Sequence, residues 1–176
     1  DNGYDVCDHS QLNPVLGSED DFEAFTSTLS EHGLGLILDI VPNHMGIGEA
    51  CNAWWMDVLE NGPSSSYASY FDIDWHPVNP QLENKVLLPI LEDQYGNVLE
   101  EGKLRLAYED GAFFIHYYDS KLPLGPRTYS SILGHRLDQL TDTLGKDHES
   151  LQELQSILTA ISYLPPGTEV DPEKLE

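Results

Sequence analysis

Positive charge is the scarcest property of this sequence. Eight lysines and arginines stand against 31 aspartates and glutamates in 176 residues, which leaves a formal net charge of −23. A nucleic-acid backbone or an anionic membrane surface would be repelled, while a neutral ligand such as a sugar stays compatible with that charge. Cysteine is rare as well: Cys7 and Cys51 lie far apart and lack metal-ligand spacing. A disulfide framework needs more of them, so the reading is a reducing, cytoplasmic setting. No apolar run approaches membrane-spanning length, and no signal-peptide pattern appears. An initiating methionine is absent too. The chain opens on Asp1, enters Gly3-Tyr4-Asp5 at once and stops in DPEKLE, which reads as a piece of something larger. What is present, 40% hydrophobic and 10% aromatic residues, is enough for one folded domain with a sizeable core.

Ser18-Glu-Asp-Asp21 has the form of a capping box, with Phe22, Phe25 and Leu29 following at helical spacing and Gly33 supplying a stop. Residues 35–41 are short, apolar and branched, the pattern of a strand buried on both faces in a parallel sheet. Asn52 is placed to cap a short helix in which Trp54, Trp55, Val58 and Leu59 share a face, ending at Asn61-Gly62. Residues 63–81 are rich in Ser, Pro and aromatics and read as irregular; residues 85–91 read as a strand. Leu104, Leu106 and Tyr108 alternate, Asp110-Gly111 offers a turn, and residues 112–118 return as extended structure, a hairpin pattern. Leu133, Leu137, Leu140 and Leu144 mark one helix; Leu151, Leu154, Leu158 and Ile161 mark a second, closed by Pro165-Pro166.

The predicted fold class is therefore α/β, α+β in appearance: one β/α unit over residues 1–48, a mixed insertion with a hairpin over 49–131, and an antiparallel helix pair and tail over 132–176. A complete eight-fold barrel needs roughly 200 residues or more, so the chain reads as part of one.

In parallel β/α folds ligands sit beyond the carboxyl ends of the strands. Pro42-Asn43-His44 occupies that place. The Asn43 amide and the His44 imidazole both donate and accept, which suits sugar hydroxyls. Asp39, inside the apolar stretch, calls for a cationic or amide partner if buried. On spacing alone, the plainer reading stands beside this one: Asn43 caps the next element and His44 is an ordinary loop histidine.

The residues also resemble a family. DIVPNH resembles the first signature of the α-amylase superfamily, in which Asp-x-x-x-Asn-His ends the third strand of a barrel, and GYDVCDHSQLNPVLGSEDDF resembles the segment after its second strand. With WWMDVLENGPSSSYASYFDIDW, KVLLPIL and YYDSKLPLGPRTY, the likeness narrows to the glucan-glucosylmutase branch, the maltooligosyltrehalose synthases. These convert the reducing-end α-1,4 linkage of a maltodextrin into an α,α-1,1 trehalose linkage. The resemblance implies that Tyr4 forms a platform under the sugar ring, that His44 binds a hydroxyl of the same sugar, and that Asp39 supports the catalytic centre without attacking. The place of Asn43 binds calcium in many amylases; no cluster of further oxygen ligands is evident here, so the expectation is substrate contact and no metal or other cofactor. Of the adjacent tryptophans, about 100° apart on a helix, one packs in the core; Trp55 is the candidate for the substrate. Tyr67, Tyr70, Phe71 and Trp75 read as packing in an irregular segment, and Lys85, Arg105 and Arg127 as partners of carboxylates.

A retaining reaction of this kind needs two carboxyl groups, a nucleophile and an acid/base. Gly134-His135-Arg136-Leu137-Asp138 matches the family's Gly-x-Arg-x-Asp nucleophile pattern by letter. Its leucines, however, fall at helical spacing, and a nucleophile belongs at the end of a buried strand. The match is read as accidental. The expectation is a piece of the catalytic region, inactive alone, whose partners are a maltooligosaccharide, the rest of the barrel and, to hide the lone strand, a second copy of itself. The alternatives are another hydrolase or glucanotransferase of the superfamily and a non-catalytic carbohydrate-binding module.

Overall fold

The computed structural model describes residues 3–48, 51–169 and 171. The stretch around residues 49–50, where a boundary is expected, and most of the terminal DPEKLE lie outside the described residues. The chain divides into two compact units, Asp1–Ala53 and Trp54–Glu176.

In unit 1, helix α1 (Glu19–Glu31) begins as its sequence dictates. Ser18 Oγ accepts from the Asp21 N–H at 3.2 Å while the Asp21 carboxylate accepts from the Ser18 N–H at 2.9 Å. The backbone and then the side chain of Ser18 hold the Asp21 carboxyl below the usual carboxylate range. At the other end Gly33 adopts φ 66°, and the N–H groups of Gly33 and Leu34 return to the carbonyls of Ser30 (3.0 Å) and Leu29 (2.9 Å). That pair of bonds closes the helix with the left-handed stop that favours glycine.

Residues 35–41 do not meet the expectation of a buried strand. They form no ladder, and Ile37 is 96% exposed. A buried parallel strand needs neighbours at both edges and helices on both faces, and no strand occurs among the described residues of this unit. The helical half of the expected β/α unit forms; the strand half lacks its sheet.

The cysteines overturn a second expectation. Cys7 and Cys51 form a disulfide with Cα atoms 5.6 Å apart across 44 residues of sequence. A single bridge needs only two cysteines that the fold brings within reach, which spacing along the chain does not reveal. Closing a loop of that length contributes about 4 kcal/mol by restricting the unfolded chain.

Unit 2 builds its own core from Trp55, Val58, Val98, Tyr117 and Leu151. Helix α2 (Ala53–Asn61) buries Trp55 and Val58 and ends at Gly62, φ 62°. Residues 85–91, expected as a strand, pair with nothing, although Val86, Leu88 and Ile90 are less exposed than Lys85, Leu87 and Pro89. The alternation of an extended chain is there without the ladder. Helix α3 (Tyr95–Glu100), unanticipated, delivers Val98 to the core.

Strands β1 (Arg105–Glu109) and β2 (Ala112–Tyr117) form the expected hairpin, in register from Arg105 opposite His116 to Glu109 opposite Ala112. Asp110 and Gly111 take φ 50° and 88°, the positive pair a tight hairpin turn needs. Strand β3 (Ser120–Pro123) then adds antiparallel to β2. Lys121 Nζ (2.7 Å) and His116 Nε2 (2.8 Å) both reach Glu109 and lower its pKa, and Lys121 also lies over the Phe114 ring, 3.9 Å from its centroid. Lys103 grips Glu101 and Glu92. Lys85 and Arg127, by contrast, donate to the carbonyls of Gln81 (2.9 Å) and Leu164 (2.7 Å), not to carboxylates.

The single helix expected through Leu133 to Leu144 is two, α4 (Tyr129–Leu133) and α5 (Leu137–Leu144), both packed on α6 (Glu149–Ser162). The break falls at Gly134 to Arg136, where Arg136 is left-handed at φ 57°. Asp138 sits in the first turn of α5, on a helix and not at a strand's end. Among the described residues no helix is long and apolar enough to cross a membrane.

Candidate functional site

After the glycine stop of α1 the chain leads on to residues 39–46, which meet residues 4–6. Tyr4 donates its hydroxyl to Asp39 Oδ2 at 3.0 Å. His44 Nε2 faces Asp5 Oδ1 at 3.5 Å, an ion pair when the imidazole is protonated. The Gly46 N–H donates to the Val6 carbonyl at 2.9 Å. Only glycine fits there: a Cβ on residue 46 would stand 2.7 Å from the Asp5 carbonyl oxygen. Buried Asn52 donates its side-chain amide to the Gly46 carbonyl at 3.0 Å, and the disulfide lies at the same end.

Tyr4, Asp39 and His44, singled out from the sequence, thus come together in unit 1, with Asn43 exposed in the bend beside His44. Asp39 is exposed rather than buried, and its partner is a phenol hydroxyl instead of a cation or amide. Sequence reasoning does not single out Asp5, although Gly3-Tyr4-Asp5 contains it; its contact with His44 appears only once the two segments are side by side. A half-exposed aromatic ring, two carboxylates, an imidazole and an amide make a set of donors and acceptors suited to hydroxyl groups.

Trp55 has a different place. At 7% exposure it packs on Phe71 (centroids 5.0 Å) in the core of unit 2. Its neighbour Trp54, 37% exposed, stacks on Tyr67 at 5.5 Å and 11° and meets the edge of Tyr70 at 5.4 Å. Among the described residues no group of three His, Cys, Asp or Glu side chains could hold a metal ion.

The sequence model of the family described as Alpha amylase, catalytic domain, matches residues 1–124. The chain belongs to the α-amylase catalytic-domain family. A Mycobacterium tuberculosis (strain H37Rv) protein carrying the name maltooligosyl trehalose synthase is 41% identical over 105 residues, which is 58% of this chain and 13% of that protein. The intracellular maltogenic amylase of Bacillus subtilis is 35% identical over 75 residues, 43% of this chain and 12% of that enzyme. A crystal structure of maltooligosyl trehalose synthase superposes with a TM-score of 0.61 at 39% identity, covering 69% of this chain and 16% of that one. The chain spans less than a fifth of the length of each α-amylase relative. The resemblance read from the sequence holds at the level of the family, with similarity to maltooligosyl trehalose synthase within it.

Proposed function

We propose that this chain is part of an α-amylase-family enzyme that rearranges the reducing-end α-1,4 bond of a maltodextrin into the α,α-1,1 bond of trehalose. Unit 1 contributes one wall of the glucan cleft. The observation that carries the reading is the cluster itself: within one compact unit Tyr4 is hydrogen-bonded to Asp39 at 3.0 Å and His44 faces Asp5 at 3.5 Å.

In this reading the Tyr4 ring packs against the C–H face of a glucose while Asp39 fixes its hydroxyl. His44 and Asn43 take sugar hydroxyls, and Asp5 orients the imidazole. Trp55 serves from the core by supporting α2. The nucleophile and the acid/base, which a retaining mechanism sets about 5–5.5 Å apart, come from the parent protein outside this chain. In a mutase, the released glucose stays bound and its anomeric hydroxyl attacks the glycosyl–enzyme carbon. The enzyme carboxylate then leaves and the base takes the hydroxyl proton. In this reading residues 1–48 are a partial unit of a (β/α)8 barrel carrying the third-strand signature, 49–131 an inserted mixed subdomain and 132–176 a helix pair and tail; the exposure of Ile37 fits a strand whose neighbours lie elsewhere in the parent.

Product analysis of the full-length parent with maltopentaose tests this. A non-reducing product ending in trehalose is expected, with no turnover by this chain alone. Shorter reducing sugars would instead support a hydrolase or transferase, the reading favoured by the similarity to maltogenic amylase.

A further inference from the structure

We propose that the disulfide between Cys7 and Cys51 is a thiol-exchange site, opened by a dithiol reductant, that decides whether residues 3–7 stay docked against residues 39–46. The proposal stands apart from the saccharide reading. Cys7 closely follows Tyr4 and Asp5, and Cys51 closely follows His44 and Gly46, so the bridge fastens both halves of the cluster at one end. Among the described residues, the polar contacts between the two segments beside the bridge are of two kinds. Tyr4 to Asp39 (3.0 Å) and His44 to Asp5 (3.5 Å) join solvent-exposed side chains, and the Gly46 N–H to Val6 carbonyl bond (2.9 Å) joins backbones. Exposed pairs of this kind hold a free segment weakly. Helix α1, in contrast, is closed at both ends by hydrogen bonds of its own, at its cap and at its glycine stop, in which neither cysteine takes part.

The sulfurs are also within reach. Cys51 is exposed and Cys7 partly so. A reductant thiolate attacks Cys51 Sγ, forming a mixed disulfide, and Cys7 leaves as a thiolate that takes a proton. The reductant's second thiol then attacks its own sulfur in the mixed disulfide and frees Cys51 as a thiol. The reductant departs as a cyclic disulfide, having passed two electrons and two protons to the bridge.

Amide exchange of the chain, oxidised and in dithiothreitol, tests the proposal beside a Cys7→Ser/Cys51→Ser variant under both conditions. Reduction is expected to speed exchange of the Gly46 amide at least tenfold, leave α1 unchanged and reverse on reoxidation, with the variant fast in both conditions. Three results would overturn it: Gly46 exchange that ignores reduction, α1 opening together with the Gly46 amide, or two free thiols in the air-oxidised chain. The second would make the bridge a staple for the whole unit.

Discussion

Ile37 in unit 1 and Leu151 in unit 2 are both branched aliphatic residues, yet Ile37 is almost wholly exposed and Leu151 is fully buried. Leu151 lies on α6, whose neighbours α4 and α5 come from the same unit, and β1 to β3 complete their ladders within it too. Among the described residues, no strand of unit 1 pairs with residues 35–41. Order in unit 1 comes instead from a capped helix, one covalent bridge and a handful of polar contacts around the cluster. The contrast teaches that a segment's apolar character describes the surroundings it needs, whereas its burial depends on whether those surroundings are supplied.

The sharpest way to break this contrast is to truncate both residues. Leu151→Ala should cost about 2–5 kcal/mol in urea unfolding followed by α6 helicity, the range for removing a fully buried leucine. Ile37→Ala should stay within about 0.5 kcal/mol, and a loss as large as that at Leu151 would show that residues 35–41 are covered after all. A smaller effect is expected at Gly46→Ala. The added methyl meets the Asp5 carbonyl, so a cost of about 1–3 kcal/mol should appear as faster exchange of the amide at position 46 than in the parent chain, with unit 2 untouched.

A further effect, below those at Leu151 and Gly46, concerns the local device at the head of α1. Ser18→Ala should remove about 1 kcal/mol, read as lost helicity in α1. The same bonds depress the pKa of Asp21 in the folded state. Its contribution is therefore complete above the unfolded carboxyl value, about 3.9, and is lost as pH falls through the lower folded value. Helicity of α1 should hold from pH 7 down to about 4 and decline below it, and Asp21→Asn should flatten that decline.

What was legible in the sequence was local. Ser18 and Asp21, Gly33, the Asp110-Gly111 turn and the leucines of α6 act over a few residues, and each forms as read. Residues 85–91 carry the alternation of a strand, but a ladder needs a second segment, and nothing in the pattern says whether one arrives. Residues 35–41 repeat that lesson with a fully apolar stretch. The Cys7 and Cys51 pairing is hidden for the same reason, since 44 residues separate two atoms that the fold makes adjacent. Arg136 split a helix that leucine spacing joined, because periodicity does not register a single left-handed residue. In the cluster, Tyr4, Asp39 and His44 were recognisable from their motifs, while Asp5 needed the coordinates to reveal its contact.

Pro123 has a consequence for solubility. Leu124 donates to Phe113, which turns the nitrogen of Pro123, one residue earlier, toward the outer margin of β3. That nitrogen carries no hydrogen, so an incoming chain seeking to extend the sheet meets a missing donor there. A highly acidic protein already discourages self-association at long range; at this rim the deterrent is stereochemical and survives high salt, where charge repulsion fades.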